Sequence, residues 1–326
     1  MIKKILTIGI PTFNGALALM PNIDNLISII KKNNLIEEIN ILVSINASTD
    51  NSEEICKKYT MYNYFNYYIQ PENIGYDANV NSIVTNSMTP YVWLSSDDDL
   101  ITEKGILKAI EILKKDKPSY IFINHDKSPL KNNDREYKIY NDREMFINEM
   151  RFSCGLISSN IVFKEYWIKW QIDKYINTHW IHMGYIIELL NHSPGNYVSV
   201  FNTDCLVNAV FHSGRTWGNN GTFLNTGFLL VNMILFNLDK NCKHGLYWGR
   251  KIIAGAYPDN IYRARCEGLK LTKEIKNNIK LASSYNMIKY YFLVLPSILM
   301  PNFLAKLFWR CYRKAKHILT KVLPTK

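Results

Sequence analysis

Short apolar runs alternate with helix-spaced segments over the first 125 residues, and that rhythm leaves few folds open to this chain. Residues 5–11, 39–45, 67–70, 91–95 and 119–124 are brief, rich in Ile, Val and aromatics, and predict strands. Between them, residues 22–34 carry Ile23, Leu26, Ile27 and Ile30 at helical spacing. A polar turn at 46–52 suits a helix start near Ser52, and residues 77–87 and 102–115 predict further helices. The order predicts an α/β, Rossmann-like fold: a mostly parallel sheet with helices on both faces. Ligands of such sheets bind beyond the carboxyl ends of the strands. The polar groups Thr12-Phe-Asn14, Asn46–Asp50 and Asp97-Asp-Asp99 fall there.

The aspartate triplet follows the apolar run Tyr91-Val-Trp-Leu94 and the step Ser95-Ser96. Hard cations such as Mg²⁺ or Mn²⁺ take oxygen ligands, and protein carboxylates share that shell with substrate phosphates and water. Like charges this close are unfavourable unless a cation or a shared proton neutralises them. The plain alternative is a solvated turn that caps the helix starting near Thr102, since Asp and Thr favour N-caps.

A chain of 326 residues with 47% hydrophobic and 21% charged residues has ample core for one large domain or two modest ones. Cysteines 56, 154, 205, 242, 266 and 311 form no CxxC pair, so thiols in a reducing compartment are expected rather than a disulfide framework or zinc site. Lys3 and Lys4 before an apolar run resemble the start of a signal peptide. The run is too short and has no small-residue cleavage site, so a first buried strand of a cytoplasmic protein is expected.

The net charge of +11 is uneven: residues 275–326 hold ten Lys or Arg and no acid, and residues 1–274 have a net charge of +1. The basicity therefore belongs to a tail.

Residues 126–152 read as a polar connector; 156–163 predict a strand, 175–190 a helix and 197–211 an extended stretch. The division expected is a first lobe at 1–125, a second lobe at 126–274 and a basic amphipathic tail at 275–326.

Four motifs in order make the chain resemble the family 2 glycosyltransferases of the GT-A fold. They are Ile8-Gly-Ile-Pro-Thr-Phe-Asn14, Val43-Ser-Ile-Asn-Ala-Ser-Thr-Asp50, Glu72-Asn-Ile-Gly75 and Trp93-Leu-Ser-Ser-Asp-Asp-Asp99. More loosely, Ser158-Ser-Asn-Ile-Val-Phe-Lys-Glu-Tyr-Trp167 and residues 175–182 look like the acceptor half of abequosyltransferase-like enzymes of O-antigen assembly. The resemblance implies a nucleotide-diphosphate sugar donor and a metal, Mn²⁺ or Mg²⁺, held by Asp97 and Asp99 as Lewis acid on the leaving diphosphate. Asp98 is a third ligand or orients the sugar. The resemblance also implies that Pro11, Thr12, Phe13, Asn14, Asn46, Ser48 and Asp50 hold the nucleoside, with Asn73 and Gly75 at its border; Gly75 reads equally as a turn residue.

Many relatives carry Asp where this chain has Asn46. An amide satisfies cytosine N3 and its amino group better than a carboxylate does, which favours a CDP-sugar. For the base of an inverting transfer, His179, His182, Asp173 and Glu188 are candidates, and the resemblance ranks His182 first. Arg215, in Phe211-His-Ser-Gly-Arg-Thr-Trp-Gly218, reads as a diphosphate contact or as a surface residue.

In the tail, Pro296 and Pro301 interrupt an apolar stretch, which disfavours a spanning helix and favours an interfacial one. Packing of that apolar face on the body is the alternative, and nothing in the body supports nucleic-acid binding.

The expectation is a metal-dependent glycosyltransferase, peripheral on the inner face of the cell membrane. Its acceptor would be a polyprenyl-diphosphate-linked oligosaccharide of an O-antigen or capsule. A sugar nucleotidyltransferase is the runner-up, but Pro11-Thr-Phe-Asn-Gly15 lacks the Gly-rich basic loop of those enzymes. A non-catalytic membrane scaffold with a degenerate transferase fold is the other reading.

Overall fold

The computed structural model describes residues 4–125, 130, 135–192, 194–208, 222–254, 257–266, 268–284 and 286–311. Contacts divide the chain into two compact units, Met1–Gly214 with Leu238–Gly245, and Arg215–Asn237 with Leu246–Lys326.

The first unit opens with β1 (Leu6–Thr12), α1 (Ala16–Lys32), β2 (Ile39–Ile45), α2 (Ser52–Lys57), β3 (Phe65–Ile69), α3 (Tyr76–Asn86) and β4 (Tyr91–Leu94). Then come β5 (Asp99–Ile101), α4 (Glu103–Lys115), β6 (Tyr120–Ile123), β7 (Tyr137–Tyr140) and α5 (Arg143–Met150). β8 (Asn160–Phe163), α6 (Lys164–Lys169), α7 (Ile181–His192), β9 (Tyr197–Val200) and β10 (Leu206–Asn208) follow.

Eight strands form one sheet in the order β3-β2-β1-β4-β8-β6-β9-β7, and β5 pairs with β10 beside it. The β3-β2-β1-β4 half is parallel, as the alternation of strands and helices dictates. Beyond β4 the sheet is mixed, because β8 inserts antiparallel between β4 and β6. The sheet therefore runs past residue 125 and draws β7, β8 and β9 from the later segment.

Alternation along β1 assigns its two faces. Leu6, Ile8 and Ile10 enter a core with Leu19 and Ile23 of α1 and Ile106 of α4. The opposite face meets α3 and carries a buried polar seam. There Ser44 Oγ donates to Asn79 Oδ1 at 2.6 Å, and Ser87 Oγ donates to Thr7 Oγ1 at 2.8 Å. Each such bond contributes about 1 kcal/mol, and an unmet buried hydroxyl would cost more. Gly9 sits on that face, where a Cβ would stand 2.2 Å from Ile83 Cγ2.

Several boundaries differ from expectation for local reasons. α1 starts at Ala16 rather than near 22 and contains Pro21; Leu17, whose carbonyl a residue-21 N–H would meet, lies at the surface. α7 starts at Ile181 rather than 175, because Asn177 and His179 take left-handed backbone angles of 71° and 63°. Two 3₁₀ turns occupy 153–159, so the strand expected from 156 begins at Asn160.

The second unit is helical. α8 (Thr222–Asn237), most of α9 (Lys243–Ala254), α10 (Tyr257–Cys266) and α11 (Lys273–Ala282) precede the helical runs Met287–Leu299 and Asn302–Cys311. Phe228, Val231, Ile261, Ile279, Val294 and Ile298 form its core. The first residues of the segment 275–326 thus pack with 222–266 in one unit. Arg215 and its loop at 211–218, residues 126–129 and 131–134 of the connector, and tail residues 312–326 lie outside the described residues.

Gly9→Val is expected to lower stability by about 1–3 kcal/mol, the usual penalty of overpacking a core. A thermal midpoint equal to that of the parent would show that α3 has room to retreat.

Candidate active site

The loops after β1 and β2 are bonded into one surface. Asn14 takes a left-handed φ of 52°, its N–H donates to Ser48 Oγ at 2.9 Å, and its Oδ1 accepts from Thr49 N at 2.8 Å. Asp50 serves two helices: Oδ2 accepts from Ala16 N at 2.9 Å, and Oδ1 from Ser52 N at 3.1 Å. A carboxylate at a helix N-terminus meets unpaired N–H groups and the positive end of the dipole. Phe13 stands 41% exposed in the first of these loops, and Pro11 is half-buried.

Asn46, at the exit of β2, is buried and its amide is taken up by the next loop. Its Nδ2 donates to Asn73 Oδ1 at 2.9 Å and to Gly75 O at 3.3 Å, and its Oδ1 accepts from Ile74 N at 2.9 Å. Gly75 itself has φ 81°, a left-handed angle that suits glycine where the chain turns into α3. The role of Asn46 in this structure is therefore to shape the loop 73–75.

The carboxylates lie beyond β4. Asp97 and Asp99 are buried, and Asp98 is half-buried. Thr12 Oγ1 donates to Asp97 Oδ2 at 2.5 Å, and Ser158 Oγ donates to Asp99 Oδ2 at 2.5 Å. Ser96 Oγ donates to Asp98 Oδ1. Asn22 of α1 holds the turn from below, its Nδ2 donating to the carbonyls of Ser96 at 3.1 Å and Asp99 at 3.0 Å. The triplet does not cap α4: Thr102 does, accepting from Gly105 N at 3.1 Å, and Asp99 is the first residue of β5.

Behind the triplet, burial raises the Tyr76 hydroxyl well above its usual range, and the charges of Asp77 and Asp99 add to this. Asp77 is also raised by burial, against the pull of the N–H groups of His179 and Ile181. Those N–H groups donate to Asp77 at 2.7 and 3.2 Å, which ties α3 to the start of α7.

His182 does not have the setting of an open base. It is buried, its Nε2 lies 3.0 Å from Gly155 O, and its Nδ1 has no hydrogen-bond partner among the described residues. A carbonyl only accepts, so Nε2 carries the proton and Nδ1 is a bare acceptor. Burial lowers this imidazole to about 4. Its connection to the carboxylates is indirect: the turn that it anchors at Gly155 also presents Ser158 to Asp99. Of the other candidates, His179 and Asp173 are exposed, and Glu188 is buried with Tyr175 donating to it at 2.6 Å and Lys174 at 2.9 Å.

Among the described residues, no group of three or more His, Cys, Asp or Glu side chains converges as a cation cage. Asp97 and Asp99 are instead an oxygen-only donor set at a strand exit, which suits a hard cation whose shell is completed by phosphate and water. A cavity of about 540 Å³ beside Ile5, Tyr91, Ser119 and Phe163 lies at the opposite ends of these strands.

Residues 7–169, half of the chain, match Glycosyl transferase family 2. The chain belongs to that family. The matched region contains all the loops that meet at the carboxyl ends of β1, β2 and β4, but not His182. No curated protein matches the chain in sequence.

Solved structures share the fold of this family 2 transferase at low identity. S. aureus TarS 1-349 superposes with a TM-score of 0.63 at 12% identity, covering 95% of this chain and 92% of that one. The same TarS fragment in complex with UDP-GlcNAc gives 0.55 at 14%, covering 88% and 93%. Mannosyltransferase PcManGT from Pyrobaculum calidifontis, in complex with GDP-Man and Mn²⁺, gives 0.52 at 14%, covering 86% of each chain.

Asn22, Asp77 and Ser158 are supporting residues that the sequence did not single out. Asn22 reads as one more position of an amphipathic helix, and its only local signal is an amide on an apolar face. Ser158 opened a quoted motif, but nothing local paired it with Asp99.

Two outcomes follow for this transferase. Asn46→Asp would set a carboxylate against Asn73 Oδ1 and Gly75 O, so without ligand it should cost about 1–3 kcal/mol in thermal unfolding. An unchanged midpoint would release Asn46 from its loop role. His182 is depressed in the folded state, so its stabilising neutrality is full above pH ~6.5 and is lost as pH falls toward 4, up to about 3 kcal/mol. His182→Gln should flatten that acid loss, and an identical pH–stability curve would contradict the buried setting.

Proposed function

We propose that this family 2 transferase moves a sugar from a nucleotide-diphosphate sugar to a lipid-linked oligosaccharide of a bacterial surface polysaccharide, working at the inner face of the cell membrane. The observation that carries the donor half is the pair of buried carboxylates, Asp97 and Asp99, each fixed by a hydroxyl at the carboxyl end of the parallel strands. Support also comes from fold relatives solved with UDP-GlcNAc and with GDP-Man and Mn²⁺. The likeness of residues 158–167 and 175–182 to abequosyltransferase-like enzymes favours an O-antigen acceptor.

In this reading, the joined loops at 12–14 and 46–50 receive the nucleoside, with Asn73 and Gly75 at its edge. Asp97 and Asp99 would hold a divalent cation, Mn²⁺ or Mg²⁺, which when bound supplies Lewis-acid stabilisation of the departing diphosphate. Thr12 and Ser158 hold those carboxylates in place through their hydroxyl hydrogen bonds. Asp98, less buried, faces the sugar. His182 acts as a positioning residue that fixes the 153–159 turn, and through it Ser158. The preference for a CDP-sugar rests on an amide at position 46, where many relatives carry Asp.

Thermal shift of the full chain with UDP, CDP, GDP or dTDP, each with and without Mn²⁺, tests this reading. A ligand at a hundred times its Kd adds about 2.7 kcal/mol to stability. The expected result is a Mn²⁺-dependent rise, largest with CDP, that disappears in Asp97→Ala/Asp99→Ala. A larger rise with UDP would remove the CDP preference. No rise with any nucleotide would sink the donor site and favour a scaffold.

A further inference from the structure

Ten large apolar side chains between Met287 and Phe308 stand exposed on the second unit. Ile288 and Phe292 are each 76% exposed and Phe303 is 70% exposed, far beyond what scattered surface residues require. The inner side of the same stretch is apolar too, since Tyr290, Val294 and Ile298 pack into the core with Phe228 and Ile279. A helix that is apolar all round is at home in a core or a membrane, not at a water surface.

The local geometry is equally specific. Met287–Leu299 and Asn302–Cys311 meet at 115°; together they have the length and composition of a span, but no single helix among the described residues does. The bend has a covalent cause: Pro301 offers no N–H and pushes Met300 out of the helical region, to φ −55° and ψ 133°. Two carbonyls at the break are taken by one side chain. Arg265, 8% exposed, donates from Nη1 to Ser297 O at 2.6 Å and from Nη2 to Asn302 Oδ1 at 2.6 Å and to Met300 O. Tyr262, on the same helix as Arg265, packs against Phe308 across the bend, with ring centroids 4.8 Å apart and planes tilted by 39°.

Charge identifies the partner. From residue 275 onward the chain has ten Lys or Arg and no acid, and Lys289, Lys306 and Arg310 punctuate the apolar stretch itself. Two copies of this face would set cation against cation, whereas anionic headgroups above hydrocarbon meet both of its features.

We propose that residues 287–311 form a bent wedge that enters one leaflet of an anionic bilayer, with the Arg265 fork holding its bend. This builds on the membrane-side action proposed above, and its test is independent of donor chemistry.

The full chain would be sedimented with vesicles of phosphatidylcholine alone and of phosphatidylcholine with phosphatidylglycerol. The expected result is preferential binding to the anionic vesicles, weakened about a hundredfold in Phe292→Glu/Phe303→Glu. Lys289→Gln and Lys306→Gln should each weaken it about fivefold. Arg265→Lys keeps the charge but loses the fork, and should also weaken binding. A cooperative thermal transition retained in these variants would show that they are folded, whatever the outcome with nucleotides. Absence of binding to both vesicle types, or parental binding by Phe292→Glu/Phe303→Glu, would overturn the wedge. Concentration-dependent dimerisation without vesicle binding would also overturn it and assign the face to a second copy. Parental binding by Arg265→Lys would overturn the clamp.

Discussion

A carboxylate leaves water only if donors meet it, and here two buried carboxylates in one turn are each met by a hydroxyl from a distant part of the chain. Thr12 lies 85 residues before Asp97, and Ser158 lies 59 residues after Asp99. Neither hydroxyl arrives unless the sheet is assembled: β1 must lie beside β4 to deliver Thr12, and β8 must insert between β4 and β6 to deliver Ser158. The placement of the antiparallel strand is thus tied to the carboxylates, and the acidic turn is a product of the whole sheet.

The same dependence organises the rest of the site. Asn22 ties α1 to the turn, Asn46 ties β2 to the loop before α3, and Asp77 ties α3 to α7. Each is a buried polar side chain whose partners are mostly backbone groups, so each fixes chain geometry more than side-chain chemistry. The groups left toward solvent, such as Asp98 and Phe13, are those that can meet a ligand. Family 2 membership and the shared fold agree with this division between scaffold and reactive edge.

Much of the parallel half was legible because its signals are local: apolar runs of strand length, helical spacing at Ile23–Leu26–Ile30, and polar residues at strand exits. The mixed half was not, since 160–163 reads as a strand without announcing its direction or neighbours. The carboxylate cluster was legible as a cluster, but its hydroxyl partners were not, because pairing across 59 or 85 residues leaves no mark in either neighbourhood. Asn46 shows the opposite limit. Its identity was noticed and given a contact with the base, while the structure engages its amide in the loop at 73–75. His182 was read as a reactive group on a helix; burial, which one sequence cannot display, makes it a neutral pin.

Asp50 has a consequence for energetics as well as for shape. One carboxylate joins the first turns of α1 and α2, and Asn14 crosses the same gap in the other direction. The two loops are therefore already ordered as a single plate. A small molecule landing on that plate pays little conformational entropy to arrange it, so more of its contact energy appears as affinity. Residues 14 and 50 need never touch such a molecule to govern how tightly it is held.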